Sequence, residues 1–503
     1  MIKHIIFDLK SNKKFRKLFL KIVVAFLIIA SVLIYLSSRF NFGQVVDKQY
    51  ILTPQREITA SSEFVGEVYF NKEVDSKIFT KKILEAVNSA KETIEVSVYA
   101  MDIREIIDAI KARGEAGVNV TLIIPKKKEA DYKALYNGKN IKIIALGRLN
   151  ELNEEESHMH HKFILIDSAT ADRNIIFGSS NFTALQEKYD AGFIIETKDP
   201  EIILSFKKEF DLLKNGQYGV KKFRNLDYKP FTKKINYPNG FLEIWFGPGF
   251  KENSIKSRMI DLIDSATNEI EIMSWVFNDE DVTKHLIDKA RSGIKIKIIS
   301  DDSYIWTPGS QIKEFLYYNE NSKKDIDVIS DSYDNFTILN KYYAKDKSIP
   351  PGFNPYLHHH TLIIDRKILL TGTNNWTLNG FYRNDEDIIV TDIDTVVNAF
   401  VNFFDFQYKK NKGEKLDFGL DKDSDGNPVI EIKQTFPAES RVLMYIEKPI
   451  SAVEKFCLDS SLDGNNRISF SKECITDQTI IYIIDKNRDL LASEYLISGL
   501  NGN

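Results

Sequence analysis

The sequence predicts an α/β protein made by internal duplication: two α/β/α sandwich domains with mixed, largely parallel sheets. Two observations carry this. First, Glu67-Val-Tyr-Phe70 recurs as Glu243-Ile-Trp-Phe246, and Ser89-Ala90 as Ser265-Ala266. Ile94-Glu-Val96 recurs as Ile270-Glu-Ile272, and Gly117-Val-Asn-Val120 as Gly293-Ile-Lys-Ile296, all at one offset of 176 residues (67 to 243). So long a period marks a duplicated domain rather than a solenoid. Second, strand and helix patterns alternate within a copy. Residues 94–99 alternate as a strand, Ile103, Ile106, Ile107 and Ile110 repeat at helical spacing, and residues 118–124 form a second strand. Gly114 and Gly117 punctuate the helix-to-strand turn, as Gly293 does in the second copy. Strand–helix–strand order implies parallel pairing under a layer of helices.

At 503 residues the chain is too long for one core, and 43% hydrophobic with 28% charged residues describes folded domains. The copies occupy residues 60–214 and 241–411, joined by a linker over 215–240 rich in Gly, Lys, Pro and Tyr. Residues 412–503 match neither copy and read as a small β-rich C-terminal appendage. Residues 18–38 read as a transmembrane helix, a signal anchor interrupted only by Lys21. The basic segment 1–17, with Lys13, Lys14, Arg16 and Lys17, keeps the N-terminus cytoplasmic and sends the rest across the bilayer. A cleaved signal peptide is the competing reading, but no small-x-small site follows Leu36.

Lys+Arg 68 against Asp+Glu 72 leaves a net charge of -4, which argues against a surface coated with positive charge for wrapping duplex DNA and leaves room for a local basic groove. Two cysteines exclude a disulfide framework and a Cys-rich metal site. Both, Cys457 and Cys474, lie in the appendage, and in an exported domain they can pair. Histidine is the informative residue: six of the eight fall in two tight clusters.

The first cluster is His158-Met-His160-His161-Lys162, running into an apolar strand that ends at Asp167 and followed by Gly178-Ser179-Ser180-Asn181. Residues two apart on a strand share a face, so His160 and Lys162 project together while His161 points the other way, as a packing residue. The second cluster, His358-His359-His360 with Asp365, then Gly372-Thr373-Asn374-Asn375, repeats the pattern, with His360 at the lysine position. Imidazole beside ammonium, hydroxyl and amide suits a phosphate. If the copies face each other about a pseudo-twofold axis, one imidazole can attack phosphorus while the other protonates the leaving oxygen.

H-x-K-x4-D followed by G-S-x-N, twice, resembles the phospholipase D superfamily, the HKD family, as a two-motif bacterial-type member, with the G-S-S-N-F-T wording closer to its nuclease-like branch, over roughly residues 67–408. The first motif is complete; the second lacks its lysine. The resemblance implies a covalent phosphohistidine intermediate, no cofactor, and one active site at the interface of the copies. It makes His160 the nucleophile and His358 the general acid, with Lys162, Asn181 and Asn375 holding the phosphoryl oxygens and Ser179 and Thr373 supporting them. It also implies that Glu386 orients a histidine. Asp190 in the first copy stands at a different spacing, which leaves its role open. Asp167 and Asp365 belong to the motif and read as fixing local structure rather than as bases.

Same-face histidines can instead bind zinc, although no carboxylate or cysteine stands beside them in sequence. His360 loses its charge near pH 6.5, so an acid-shifted optimum is expected; a second copy decayed to a structural partner is the plainer alternative. Two substrates fit: membrane phospholipid, close at hand if the N-terminal helix enters the bilayer, and single-stranded nucleic acid; a non-catalytic surface protein, with no turnover of any phosphodiester, is the third reading. An insertion over 333–356, with Phe336, Tyr342, Tyr343 and Phe353, reads either as an apolar lip for lipid or as a plain surface loop. Lys126–Lys128, Lys207, Lys208, Lys221 and Lys222 are the basic patches available to nucleic acid, or simply solvated faces. Asp421, Asp423 and Asp425 match the front of a calcium loop, but position twelve is Ile432, which favours an acidic turn.

Overall fold

The computed structural model describes residues 56–71, 77–135, 138–147, 157–224, 232–250, 253–305, 307–322, 326–330, 356–412, 414–437, 439–446, 455–462, 467–476, 479–484 and 490–495. The expected anchor over 18–38, the basic segment before it, and the insertion up to residue 355 lie outside the described residues. Among the described residues no helix is long and apolar enough to cross a membrane.

After a short strand β1 (Arg56–Thr59), the first lobe runs β2 (Gly66–Phe70), α1 (Ile78–Ser89), β3 (Thr93–Val98), α2 (Arg104–Glu115), β4 (Asn119–Pro125), β5 (Ile141–Leu146), β6 (Lys162–Ile166), β7 (Asn174–Gly178), α3 (Ala184–Tyr189), β8 (Phe193–Thr197) and α4 (Pro200–Lys214). Next come β9 (Thr232–Tyr237) and the second lobe: β10 (Gly240–Phe246), α5 (Ile255–Ser265), β11 (Glu269–Ser274), α6 (Glu280–Arg291), β12 (Lys295–Ser300), α7 (Asp302–Ile305), α8 (Ile312–Ser322), β13 (Ile326–Ser330), β14 (His360–Ile364), β15 (Ile368–Gly372), α9 (Leu378–Tyr382), β16 (Asp387–Thr391) and α10 (Asp394–Lys412).

The two sheets have one topology. The first is ordered β2-β8-β7-β6-β3-β4-β5, and the second repeats it as β10-β16-β15-β14-β11-β12-β13, with β9 and β1 added beside β10. The expectation of largely parallel sheets is corrected. Only β3-β4-β5 and β11-β12-β13 pair in parallel within the duplicated cores, while the neighbours on the β6 and β14 side are antiparallel. Helices α2 and α6 make the parallel crossovers, whereas β6–β7 and β14–β15 join by tight reversals that need no helix.

The expected linker is not free. Its residues 219–224 form a 3-10 turn with Lys222 fully buried, and Thr232–Tyr237 is strand β9 of the second sheet. Strand β1, placed before the first domain by sequence, pairs in parallel with β9 and so joins the second lobe's sheet.

Helices α4 and α10 form a layer shared by both lobes. Asp199 caps α4 by accepting hydrogen bonds from the Glu201 and Ile202 amides, and Pro200 opens its first turn. Phe206 of α4 packs edge-on against Phe163 of its own sheet and Phe246 of the other, with centroids 5.1 and 5.2 Å away. Phe403 of α10 stacks on Phe70 of the first lobe at 4.2 Å. These rings belong to one continuous buried cluster, so the lobes share a core and the ends of β6 and β14 are held facing each other.

The appendage comprises a five-stranded and a three-stranded sheet, with its own core of Val442, Met444, Ile481 and Ile483. Leu443, Ile480 and Tyr482 on the opposite strand face pack into the second lobe's outer core. A disulfide joins Cys457 and Cys474.

Candidate active site

Each motif histidine lies in the short extended segment that leads into a central strand, so the segments entering β6 and β14 set the geometry. Met159 bridges to Asp385, and Leu357 to Ala191, each across the lobe interface. The His160 amide donates to the Asp385 carbonyl at 2.9 Å, and the Asp385 amide to the His158 carbonyl at 2.9 Å. On the other side of the pseudo-twofold axis, the Ala191 amide donates to the Tyr356 carbonyl at 2.8 Å. Within each lobe, Gly178 and Gly372 let the neighbouring strand approach closely, since a Cβ there would stand 2.3 Å from the Phe193 carbonyl oxygen and 2.1 Å from that of Asp387.

His160 Nδ1 lies 2.8 Å from Glu386 Oε2, with both side chains buried. Thr373 Oγ1 donates to the same carboxylate oxygen at 2.7 Å, and Asn384 Nδ2 to the other at 3.0 Å. Burial pushes the Glu386 carboxyl up to about 7, against the pull of Lys162 and these two donors. Burial also holds His160 well below the usual imidazole range, and Lys162, His158 and His161 push the same way. Lys162 is driven down to about 8 by burial, opposed by Glu386 and Asp387. Its ammonium donates to the His160 carbonyl at 2.7 Å.

His358 is equally buried, and its Nδ1 has no partner. Burial, then the charges of Lys162 and His160, depress it well below the ordinary value, opposed by the Ser179 carbonyl. The Leu357–Ala191 and Met159–Asp385 bridges set the His358 and His160 segments at the same lobe interface. Trp275 packs against its ring with centroids 5.1 Å apart, and the His360 ring lies 5.7 Å from it.

Both ring nitrogens of His360 are buried and unpartnered, as are the Oδ1 atoms of Asn181 and Asn375. Buried polar groups without a protein partner are those that can spend their hydrogen bonds on a ligand. Burial holds His360 well below its ordinary value, reinforced by His358, His160 and Lys162. Burial therefore works against the His360 charge on which an acid-shifted optimum would depend. Among the described residues no group of three or more His, Cys, Asp or Glu can hold a metal ion, so the zinc arrangement is not formed.

Several expected site residues stand elsewhere or act otherwise. Asp167 and Asp365 follow the far ends of β6 and β14, about 16 Å along the strand from the histidine end. Asp167 accepts hydrogen bonds from the Lys91, Glu92 and Thr93 amides at 2.7–2.8 Å. Asp365 does the same for Thr267, Asn268 and Glu269 at 2.7–2.9 Å. Both stitch the turn before the neighbouring strand and are not part of the cluster. Ser179 Oγ accepts from the Phe193 amide, and Thr373 spends its proton on Glu386, so both hydroxyls brace the frame rather than face a phosphate. Asp190 Oδ1 accepts from the Tyr356 amide at 2.9 Å, which makes it the counterpart of Asn384, whose Oδ1 accepts from the His158 amide at 3.0 Å.

His161 is more than a packing residue. It hydrogen-bonds Asp387 at 2.5 Å and Glu209 at 3.2 Å, and although burial opposes its charge these carboxylates lift it to about 9. Lys222 completes the cluster, paired with Glu209, 2.8 Å from Asp385 and 2.9 Å from the Gly247 carbonyl. His359 does pack, stacked on Phe403 at 5.0 Å. The acidic turn of the appendage is a hairpin tip. Asp423 accepts from the Asp425 and Asn427 amides, and Asp421 pairs with Arg467, which uses the oxygens a calcium ion would need.

A family model described as "Cardiolipin synthase, PLD-like domain" matches residues 83–214 and 259–407, more than half of the chain. The mitochondrial cardiolipin hydrolase of Xenopus laevis is 23% identical over 172 residues, 34% of this chain and 70% of that protein. The Homo sapiens protein of that name is 24% identical over 174 residues, 35% of this chain and 59% of its own length. The phospholipase D of Rickettsia conorii is 25% identical over 139 residues, 28% and 56% respectively. Against the two latter, this chain spans little more than half of the relative. Among solved structures, a phosphatidylserine synthase from Haemophilus influenzae shares 14% identity at a TM-score of 0.49, covering 70% of this chain and 88% of that one. Since the family match takes in both lobes and every motif histidine, the chain belongs to the phospholipase D superfamily of phosphodiesterase-type enzymes.

Proposed function

We propose that the protein is a phospholipase D-type phosphodiesterase that hydrolyses phospholipid phosphodiester bonds through a phosphohistidine, held to the bilayer by residues 18–38 with its lobes outside the cytoplasm. The observation that carries this reading is the contact between His160 and Glu386 across the lobe interface. A carboxylate on Nδ1 fixes the tautomer that leaves the Nε2 lone pair free to attack. His160 Nε2 attacks phosphorus, the bond to the leaving oxygen breaks, and that oxygen takes its proton on the His358 side. Water then cleaves the phosphorus–nitrogen bond, releasing the phosphate ester and restoring His160. The Lys162 ammonium and the side-chain Nδ2–H groups of Asn181 and Asn375 donate to the phosphoryl oxygens, with His360 beside them.

The curated relatives named for cardiolipin hydrolysis support a lipid substrate. Lys126 pairs with Glu129, Lys207 with Asp211 and Lys222 with buried carboxylates, which removes much of the basic surface a nucleic acid would use. The disulfide suits an oxidising compartment. The test assays full-length protein in detergent on cardiolipin, phosphatidylcholine and single-stranded DNA, and quenches turnover in alkali to trap phosphohistidine. Release of headgroup with a trapped adduct that His160→Ala abolishes is expected. Turnover of DNA alone moves the substrate to nucleic acid, and no adduct removes the mechanism.

A further inference from the structure

The two halves of the site correspond closely but differ at two positions, the lysine position already described and one more. Gly178 pairs with Ile194 in the β7–β8 ladder, and Gly372 with Ile388 in the β15–β16 ladder. Counting back two residues puts Gly192 where the second lobe has Glu386. The flanking contacts stay symmetric, because Asp190 answers Asn384 and Ala191 answers Asp385. Between these matched contacts the carboxylate is missing. Ser180 fills its space, with Oγ 2.1 Å from where a Gly192 Cβ would stand. The two imidazoles accordingly differ: His160 Nδ1 has Glu386, and His358 Nδ1 is buried with no partner. The half without a carboxylate also has His360 in place of the lysine.

We propose that this one-sided loss makes the site favour phosphodiesters whose leaving oxygen departs as a stabilised anion over simple alkyl esters, which it turns over more slowly. The phospholipid form of such a substrate is a headgroup joined through a second phosphate. The inference rests on the phosphohistidine reading and names its substrate class. A general acid donates well when its charged form is sustained until the bond breaks. With no counter-charge and with Lys162 and His160 nearby, His358 sustains a proton poorly. When His160 attacks, the electron pair of the breaking phosphorus–oxygen bond goes to the leaving oxygen. An aryl oxide or phosphate holds that pair unprotonated, whereas an alkoxide needs the proton.

The test measures kcat/KM of the full-length protein in detergent on methyl aryl phosphates from 4-nitrophenyl to unsubstituted phenyl, and on a diphosphate-linked lipid beside phosphatidylcholine. A fall of more than about tenfold across the aryl series is expected, with His358→Ala losing under about tenfold on the 4-nitrophenyl ester. The diphosphate-linked lipid should be the better lipid substrate. Ser180→Ala with Gly192→Glu should flatten the series by restoring the carboxylate, since the Ser180 Cβ lies 3.5 Å from the new Cβ, an ordinary contact. A flat wild-type series, or an equal His358→Ala loss on every ester, overturns the proposal whether or not the double variant folds. His160→Ala separates the two readings: activity surviving on all esters defeats the phosphohistidine mechanism itself.

Discussion

Glu386 of the second lobe stands 2.8 Å from Nδ1 of His160 in the first, so neither lobe alone holds a complete nucleophilic pair. This dependence explains why the lobes share one aromatic core instead of meeting through a wet, movable interface.

The ionisation of this pair sets the pH profile. When Glu386 is protonated it donates to Nδ1, the ring proton moves to Nε2, and the nucleophile is blocked. With Glu386 held up to about 7, kcat/KM should rise as pH increases through about 7. It should fall again as Lys162, driven down to about 8, loses the charge that binds phosphate. The expected bell is narrow and near neutral to slightly alkaline. Glu386→Gln should remove the lower limb and cost about 100-fold or more in kcat. A profile retaining that limb in the variant assigns it to another group.

Asp365 and Asp167 bear on stability rather than turnover. Each carboxylate satisfies three backbone amides of the turn before a core strand. Asp365→Ala should therefore destabilise the fold by about 1–3 kcal/mol in urea unfolding. kcat at saturating substrate should change less than about threefold, measured where the variant stays folded. A large kcat loss with unchanged stability would make the motif aspartate a participant in chemistry.

Much of this was legible in the sequence. The duplication, the strand–helix alternation and the two imidazole segments follow from spacing, because strand period and repeat offset can be read off the chain, whereas Glu386 is reached only through the family resemblance. The sheet direction was not: strands β6, β7 and β8 are apolar runs whose polarity is set by the reversals between them, and apolar runs look alike in either direction. Gly192 escaped notice for a different reason. Its meaning appears only when the two hairpin registers are superposed, and an offset of 194 residues (178 to 372) at that point replaces the earlier 176. Lys222 and Glu209 carry no motif at all. They look like surface charges until the fold buries them.

Lys222 is the tie between the connecting segment and both lobes. It pairs with Glu209 of the first lobe and Asp385 of the second, all fully buried. Removing one member of a buried ionic group strands the others, so Lys222→Met should cost about 3–5 kcal/mol. Because Asp385 adjoins Glu386 and holds the His160 amide, the folded fraction of this variant should also lose kcat. Urea titration followed by turnover per folded molecule checks both. Unchanged stability would mean that the cluster's carboxylates are neutral and need no cation.

His161 makes that last point measurable through pH. Its folded value is lifted to about 9 against an ordinary 6.5, because Asp387 and Glu209 together outweigh the burial that opposes its charge. Below pH 6.5 folded and unfolded chains both carry the proton, and the full stabilisation is present. As pH rises through about 9 the folded imidazole gives up its proton and that stabilisation is lost. A shift of this size corresponds to about 3 kcal/mol. Neighbouring groups titrate in the same range, Glu386 among them, so the wild-type curve alone does not isolate this contribution. The difference between wild type and His161→Gln does. It should be largest at pH 6 and shrink by roughly 2–3 kcal/mol between pH 6.5 and 9.5 in urea unfolding. A pH-independent difference would show that the imidazole is neutral throughout and that Asp387 keeps its own proton.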